Sequence, residues 1–200
     1  MADTLMFRRV AVAPEMDRPT SSDPVASRDP ALAGRLEHMF RDHHAVVWRM
    51  LRCRGLGPDA AADATQEVFL VAAQRLGDIE PERERAFLIG TALRVAHTAR
   101  RATGRLQLEH DLDVADAHAG NAADRGSALQ LISLVLSRID PSLVEVFLLF
   151  EISGFSSVEI ARLLAIPTGT VASRLRRARE AFRDAARRIE LTLRREEKRT

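Results

Sequence analysis

The sequence predicts an all-α protein made of two small helical domains joined by a flexible acidic linker. Three observations carry this. Ala, Leu and Arg dominate a chain of 200 residues that holds no Tyr, ten Gly and eight Pro, so helix formers far outnumber helix breakers. Apolar residues recur at steps of three and four, with no sustained alternation of the kind a half-buried strand needs. The net charge is only +2, yet it is segregated. Residues 166–200 hold ten Arg and one Lys against four Glu and one Asp, a net +6, whereas residues 106–127 hold four Asp and one Glu against one Arg, a net −4. A chain of this length buries one core comfortably or two small ones, and an acidic segment between two periodic regions favours two.

Residues 1–30 contain four of the eight prolines, Pro14, Pro19, Pro24 and Pro30, among Ser, Asp and Arg, and are expected to be a disordered leader. A first domain is expected over residues 31–105. Its first helix runs over 31–54 on Leu32, Leu36, Met39, Phe40, Val46, Val47, Met50 and Leu51, and stops at Gly55 and Gly57-Pro58. A second runs over about 58–76, burying Ala61, Ala64, Val68 and Val71 or Ala72, and Gly77 stops it. A third runs over about 83–103 with Phe87, Ala92, Val95 and Ala99 inward, leaving Arg94, Arg100, Arg101 and Arg105 outside.

Residues 106–127 lack an apolar stripe and read as the linker. Periodicity resumes at Leu129, Ile132, Leu136 and Ile139 and opens a second domain over 128–190, followed by a charged tail at 191–200. Asp140-Pro141 starts its next helix, which contains Val144, Phe147 and Leu148 and ends at Gly154.

The segment SSVEIARLLAIPTGTVASRLRRAR, residues 156–179, is the most informative in the chain. Ser156 and Glu159 stand at capping-box spacing, and Ile160, Leu163 and Leu164 give the following helix a narrow stripe to bury. Pro167 cannot continue that helix, so residues 165–167 form a turn and Thr168 caps the next helix. There Val171, Leu175, Ala178 and Phe182 fall on one side, with Gly169, Ser173, Arg176 and Arg177 opposite and Thr170, Ala172 and Arg174 on the flanks. This is a helix-turn-helix whose second helix offers polar groups to base edges and guanidinium groups to phosphate or guanine. An arginine-rich face can equally be plain solvated surface, but cap, turn, stripe and charge here agree.

Other classes of function are less well supported. Cys53 is the lone cysteine, which excludes an intramolecular disulfide and suits a reducing compartment. No secretory leader or run of about twenty apolar residues is visible, so a soluble, cytoplasmic protein without membrane insertion is expected. His38, His43, His44 and Cys53 lack the tight paired spacing of a zinc site, and His97, His110 and His118 offer nothing better. Neither metal, cofactor nor catalysis is expected.

Residues 139–183, IDPSLVEVFLLFEISGFSSVEIARLLAIPTGTVASRLRRAREAFR, resemble region 4 of bacterial sigma-70 family initiation factors, particularly the extracytoplasmic-function group. The stretch DATQEVFLVAAQRL, residues 63–76, resembles region 2 of the same group. The resemblance implies an alternative sigma factor: one domain docking on the beta-prime clamp helices of core RNA polymerase and helping to melt the minus-10 element, the other binding the beta flap and reading the minus-35 element. It also implies promoter DNA and an anti-sigma factor as partners. By position, Asp63, Gln66, Glu67 and Phe69 match the polymerase-contact helix, and Thr168, Thr170, Ser173, Arg174, Arg176 and Arg177 fall on the minus-35 helix. Arg94, Thr98, Arg100, Arg101 and Arg105 are the minus-10 candidates, in a helix that departs from the family by carrying Phe87, Ile89, Arg94 and Thr98 where an aromatic pair, Asn and Asp are common. A stand-alone helix-turn-helix regulator is the alternative, although residues 32–105 show neither strands nor a phosphoacceptor pattern.

Overall fold

The computed structural model describes residues 30–104 and 122–197. The expected leader, most of the linker and the last three residues lie outside them, as do Arg105, His110 and His118. The described residues form helices and turns with no strand, and they divide into two compact units.

The N-terminal unit contains α1 (Pro30–Cys53), α2 (Pro58–Gln74) and α3 (Glu84–Gly104), with short 3-10 turns at Leu76–Asp78 and Pro81–Arg83. α1 stops where Gly55 takes φ 96°, a conformation that costs an L side chain energy. That turn lets the Gly55 and Leu56 amides donate to the carbonyls of Arg52 and Leu51 at 3.0 and 3.3 Å. Met39, Val47, Met50, Val68, Leu88 and Ile89 are fully enclosed and make the core. On α3 the inward face differs from the expected one. Leu88, Ile89, Ala92, Leu93 and Ala96 are buried, whereas Phe87, Val95 and Ala99 are half-exposed. Two apolar stripes overlap on this helix, and the one richer in large aliphatic side chains removes more surface from water.

Arg35 ties the unit together. Its Nε donates to Glu84 Oε1 at 2.5 Å, its Nη1 to the Leu76 carbonyl at 3.1 Å, and its Nη2 to the Ile79 carbonyl. One guanidinium therefore joins α1, the carbonyls that follow α2 and the first turn of α3, using its planar fork of donors.

The C-terminal unit contains α4 (Ala122–Ser137), α5 (Pro141–Phe147), α6 (Ser157–Leu164) and α7 (Thr168–Glu197). α4 begins at Ala122, six residues before the expected domain start at residue 128, in a stretch that carries no apolar stripe. α7 runs on through residues expected to be a tail, with Arg194 paired to Glu190 one turn back at 2.5 Å. Asp140 caps α5 by accepting from the Ser142 amide at 2.8 Å, with Pro141 in the first helical position. α5 passes into a π-helical turn, Leu148–Ile152, which no sequence signal announced. Gly154, at φ 64°, ends it, and the Phe155 amide donates back to the Leu149 carbonyl at 3.0 Å.

Candidate nucleic-acid interface

α6 starts with the capping box. The Ser156 amide donates to Glu159 Oε2 at 2.7 Å, and the Glu159 amide returns to Ser156 Oγ at 3.3 Å. The helix closes on Ala165, whose φ of 52° makes it the left-handed non-glycine residue among those described. The Ile166 amide donates to the Ala161 carbonyl at 3.0 Å, so a Schellman turn forms around an alanine where glycine is usual. Pro167 then supplies the carbonyl that accepts from the Thr170 and Val171 amides at 2.9 and 3.1 Å. Pro167 thus stands in the cap position, and Thr168, expected there, is the first residue of α7.

Burial sorts the faces of α7. Ile160 of α6 and Val171, Leu175 and Ala178 of α7 are buried, and Phe182 stacks on Phe147 of α5 with ring centroids 5.1 Å apart. Thr168, Gly169, Ala172, Ser173, Arg176 and Arg177 are exposed, while Thr170 and Arg174 are half-buried. Ser173 Oγ donates to the Thr170 carbonyl at 3.0 Å.

The arginines divide by environment. Arg176 pairs with Glu180 at 2.9 Å, one turn on. Arg179 pairs with Glu151 at 2.7 Å and lies over the Phe150 ring. Arg174 leans toward α5. The Asp140 carboxyl is held below its ordinary range chiefly by the hydrogen bond from Ser142, with burial opposing and the Arg174 charge assisting. Arg177 is exposed and makes no ion pair with any described residue, so its donors are available to an incoming anion.

The N-terminal candidates fall on two sites. On α2, Asp63, Gln66 and Glu67 are exposed. Phe69 is 7 % exposed and packs against Phe40 of α1, ring centroids 4.9 Å apart. On α3, Arg94 is exposed and donates to Thr91 Oγ1 at 3.0 Å, and Thr98 Oγ1 donates to the Arg94 carbonyl at 3.1 Å. Thr98 also lines a groove of about 330 Å³ whose other wall carries Asp63 and Glu67. Those two carboxylates disfavour a phosphate beside Thr98, whereas Arg94 carries the charge that suits one. The side chains of Arg100 and Arg101 lie outside the described residues. Among the described residues no three His, Cys, Asp or Glu side chains converge as metal ligands, and no helix is long and apolar enough to cross a membrane.

A capped helix, a tight turn and a second helix with a polar, cationic outer face define a helix-turn-helix. Residues 129–182 match the family model described as Sigma-70, region 4. The match spans most of α4, all of α5 and α6 and the first half of α7. The whole fold resembles two solved structures. One is CnrH, in complex with the cytosolic domain of CnrY, at 23 % identity and a TM-score of 0.57, over 80 % of this chain and 90 % of that one. The other is the sigma factor RpoE of Bartonella quintana, in complex with the anti-sigma factor NepR, at 19 % identity and a TM-score of 0.51, over 82 % of this chain and 98 % of that one.

Proposed function

We propose that this chain is an alternative sigma factor of the extracytoplasmic-function group, which binds bacterial core RNA polymerase and directs initiation at promoters carrying minus-10 and minus-35 elements. The observation that carries the proposal is the region 4 helix-turn-helix, whose α7 turns Thr168, Ser173, Arg176 and Arg177 to solvent while Val171, Leu175 and Ala178 anchor it from behind. The exposed N-terminal half of α7 enters the major groove at the minus-35 element, with Arg177 free to meet guanine or phosphate. In the N-terminal unit Asp63, Gln66 and Glu67 contact the beta-prime clamp helices while Phe69 supports their helix from the inside, and Arg94 with the basic residues Arg100, Arg101 and Arg105 contacts minus-10 DNA. The beta flap is the partner of the C-terminal unit. The protein contributes no catalytic group; the polymerase makes the bonds. It works in the cytoplasm under an anti-sigma factor, a kind of partner that the Bartonella quintana neighbour holds.

In vitro transcription with purified core polymerase on a genomic fragment library tests this. New starts that depend on the protein and share two spaced upstream elements are expected. If no new starts appear and the protein does not associate with core polymerase, it is a stand-alone helix-turn-helix regulator.

A further inference from the structure

We propose that residues 4–12 of this chain, TLMFRRVAV, dock in the groove between α2 and α3 and there compete with polymerase for Asp63 and Glu67. The docking stands on the groove alone, and the competition rests on the sigma-factor reading above.

The groove of about 330 Å³ pairs an apolar floor with an acidic rim. Leu56, Ala60 and Ala64 line it on one side, Val95 and Ala99 on the other. Val95 and Ala99 lie on the α3 stripe that periodicity assigns to the core, yet both are half-exposed, because larger aliphatic side chains take the buried side. On the rim Asp63 and Glu67 stand one turn apart on α2, exposed, and neither makes an ion pair with a described residue. Like charges at that spacing repel each other, so a cation set between them is favoured. The matching ligand is a short apolar segment that carries cations.

Three segments lie outside the described residues, and their chemistry differs. The linker joins its leucines to Glu109, Asp111, Asp113 and Asp116, which the rim repels. Lys198, Arg199 and Thr200 carry charge without apolar side chains. In the leader, Arg8 and Arg9 stand between Leu5-Met6-Phe7 and Val10, so this segment offers both kinds of group. It also reaches. Leu56 lies three residues past the end of α1 whereas the leader joins its start, so the segment must run back along a helix of 24 residues, about 36 Å. Arg9 precedes Pro30 by twenty-one residues, a connection of up to about 70 Å when extended. At the effective concentration of about 1 mM that such a tether gives, a contact with a Kd of about 0.2 mM leaves the groove open in one chain of about six.

The test uses the full chain with a photoreactive benzophenone amino acid in place of Phe7, irradiated without polymerase and mapped by mass spectrometry. Cross-links within one chain to α2 near Asp63 or α3 near Val95 are expected. Asp63→Arg with Glu67→Arg should abolish them, and adding Arg8→Glu with Arg9→Glu should restore them, which a misfolded unit would not do. Cross-links only between chains would overturn the proposal in favour of a second copy, and none at either helix would overturn it outright. Without the photoprobe, Arg8→Glu with Arg9→Glu should tighten binding to purified core polymerase about sixfold. Unchanged affinity would overturn the competition. Failure of both this variant and the unmutated chain to bind core polymerase would overturn the sigma-factor reading and the competition with it, while the cross-links still decide the docking.

Discussion

Both units bury aliphatic cores behind three or four helices, but they differ in what they leave in water. Each exposes large apolar side chains, Phe40 and Leu70 in the N-terminal unit and Val158 and Leu191 in the C-terminal one, but the C-terminal unit adds hydroxyls and guanidinium groups on α7 where the N-terminal pair stands next to carboxylates. Polar exposure costs a free domain nothing, because water already satisfies it. Apolar exposure disfavours the free state slightly, and it does so in both units alike. What separates the units is the charge beside the exposed groups, guanidinium on α7 and carboxylate on α2.

The units also differ in how they are held, and mutations separate them. The largest effect is expected at Arg35. Arg35→Ala leaves Glu84 and the carbonyls of Leu76 and Ile79 without their donor in a partly buried setting, and should destabilise the N-terminal unit by about 2–3 kcal/mol. Trp48 is the single tryptophan and the chain has no tyrosine, so its fluorescence follows this unit alone during a urea titration. An unchanged midpoint would remove Arg35 from its central place.

Arg177→Ala should weaken minus-35 binding by about 1–3 kcal/mol without altering thermal stability. Arg174→Ala should instead also lower stability, since its charge supports Asp140. Equal behaviour of the two variants, in DNA affinity and in melting by circular dichroism, would contradict the division drawn on α7.

Ala165→Gly is expected to stabilise the C-terminal unit by about 0.5–1 kcal/mol, because relief at φ 52° exceeds the extra entropy that glycine loses on folding. A lower melting temperature in the glycine variant would show that the turn carries no strain.

Acid gives the smallest and most selective comparison. Burial lowers the His43 pKa from 6.5, with Arg85 adding to it and Asp42 and Glu84 opposing. A histidine depressed in the folded state contributes stability that is complete above 6.5 and is lost as pH falls through its folded pKa. Asp140 is depressed from 3.8, so its contribution persists until pH falls below that range. Trp48 fluorescence should therefore report weakening of the N-terminal unit between neutral and mildly acid pH, while ellipticity from the C-terminal unit holds. His43→Gln should remove that early loss.

Legibility in the sequence followed the same divide. Features of the C-terminal unit are local: Ser156 and Glu159 are three residues apart, Asp140 caps its own helix, and Gly154 ends one. The exposed face of α7 followed from 3.6-residue periodicity alone. In the N-terminal unit the deciding contacts join residues far apart in the chain. Arg35 reaches Glu84 across forty-nine positions, and Phe40 meets Phe69 between helices. Neither pairing has a local signature. Phe40 read as core because its spacing along α1 is right, and only the position of α2 shows that its outer side is open. Leu70 was within reach, as an apolar residue in the stripe of Asp63, Gln66 and Glu67. On α3 the two overlapping stripes were decided by packing volume, which periodicity does not weigh.

The length of α7 carries a mechanical consequence. Its thirty residues form one unbroken helix, which at 1.5 Å per residue is a rod of about 45 Å. The exposed Thr168, Ser173, Arg176 and Arg177 occupy its first three turns, and Phe182 on Phe147 pins it near the middle. The far end is thus in fixed angular register with that exposed face. A single alanine inserted after Phe182 would turn every later side chain by about 100° and leave the DNA end untouched. On the proposed function, whatever meets Glu190 or Arg194 is thereby geared to the orientation of the duplex, as a hand is to the shaft of a gauge.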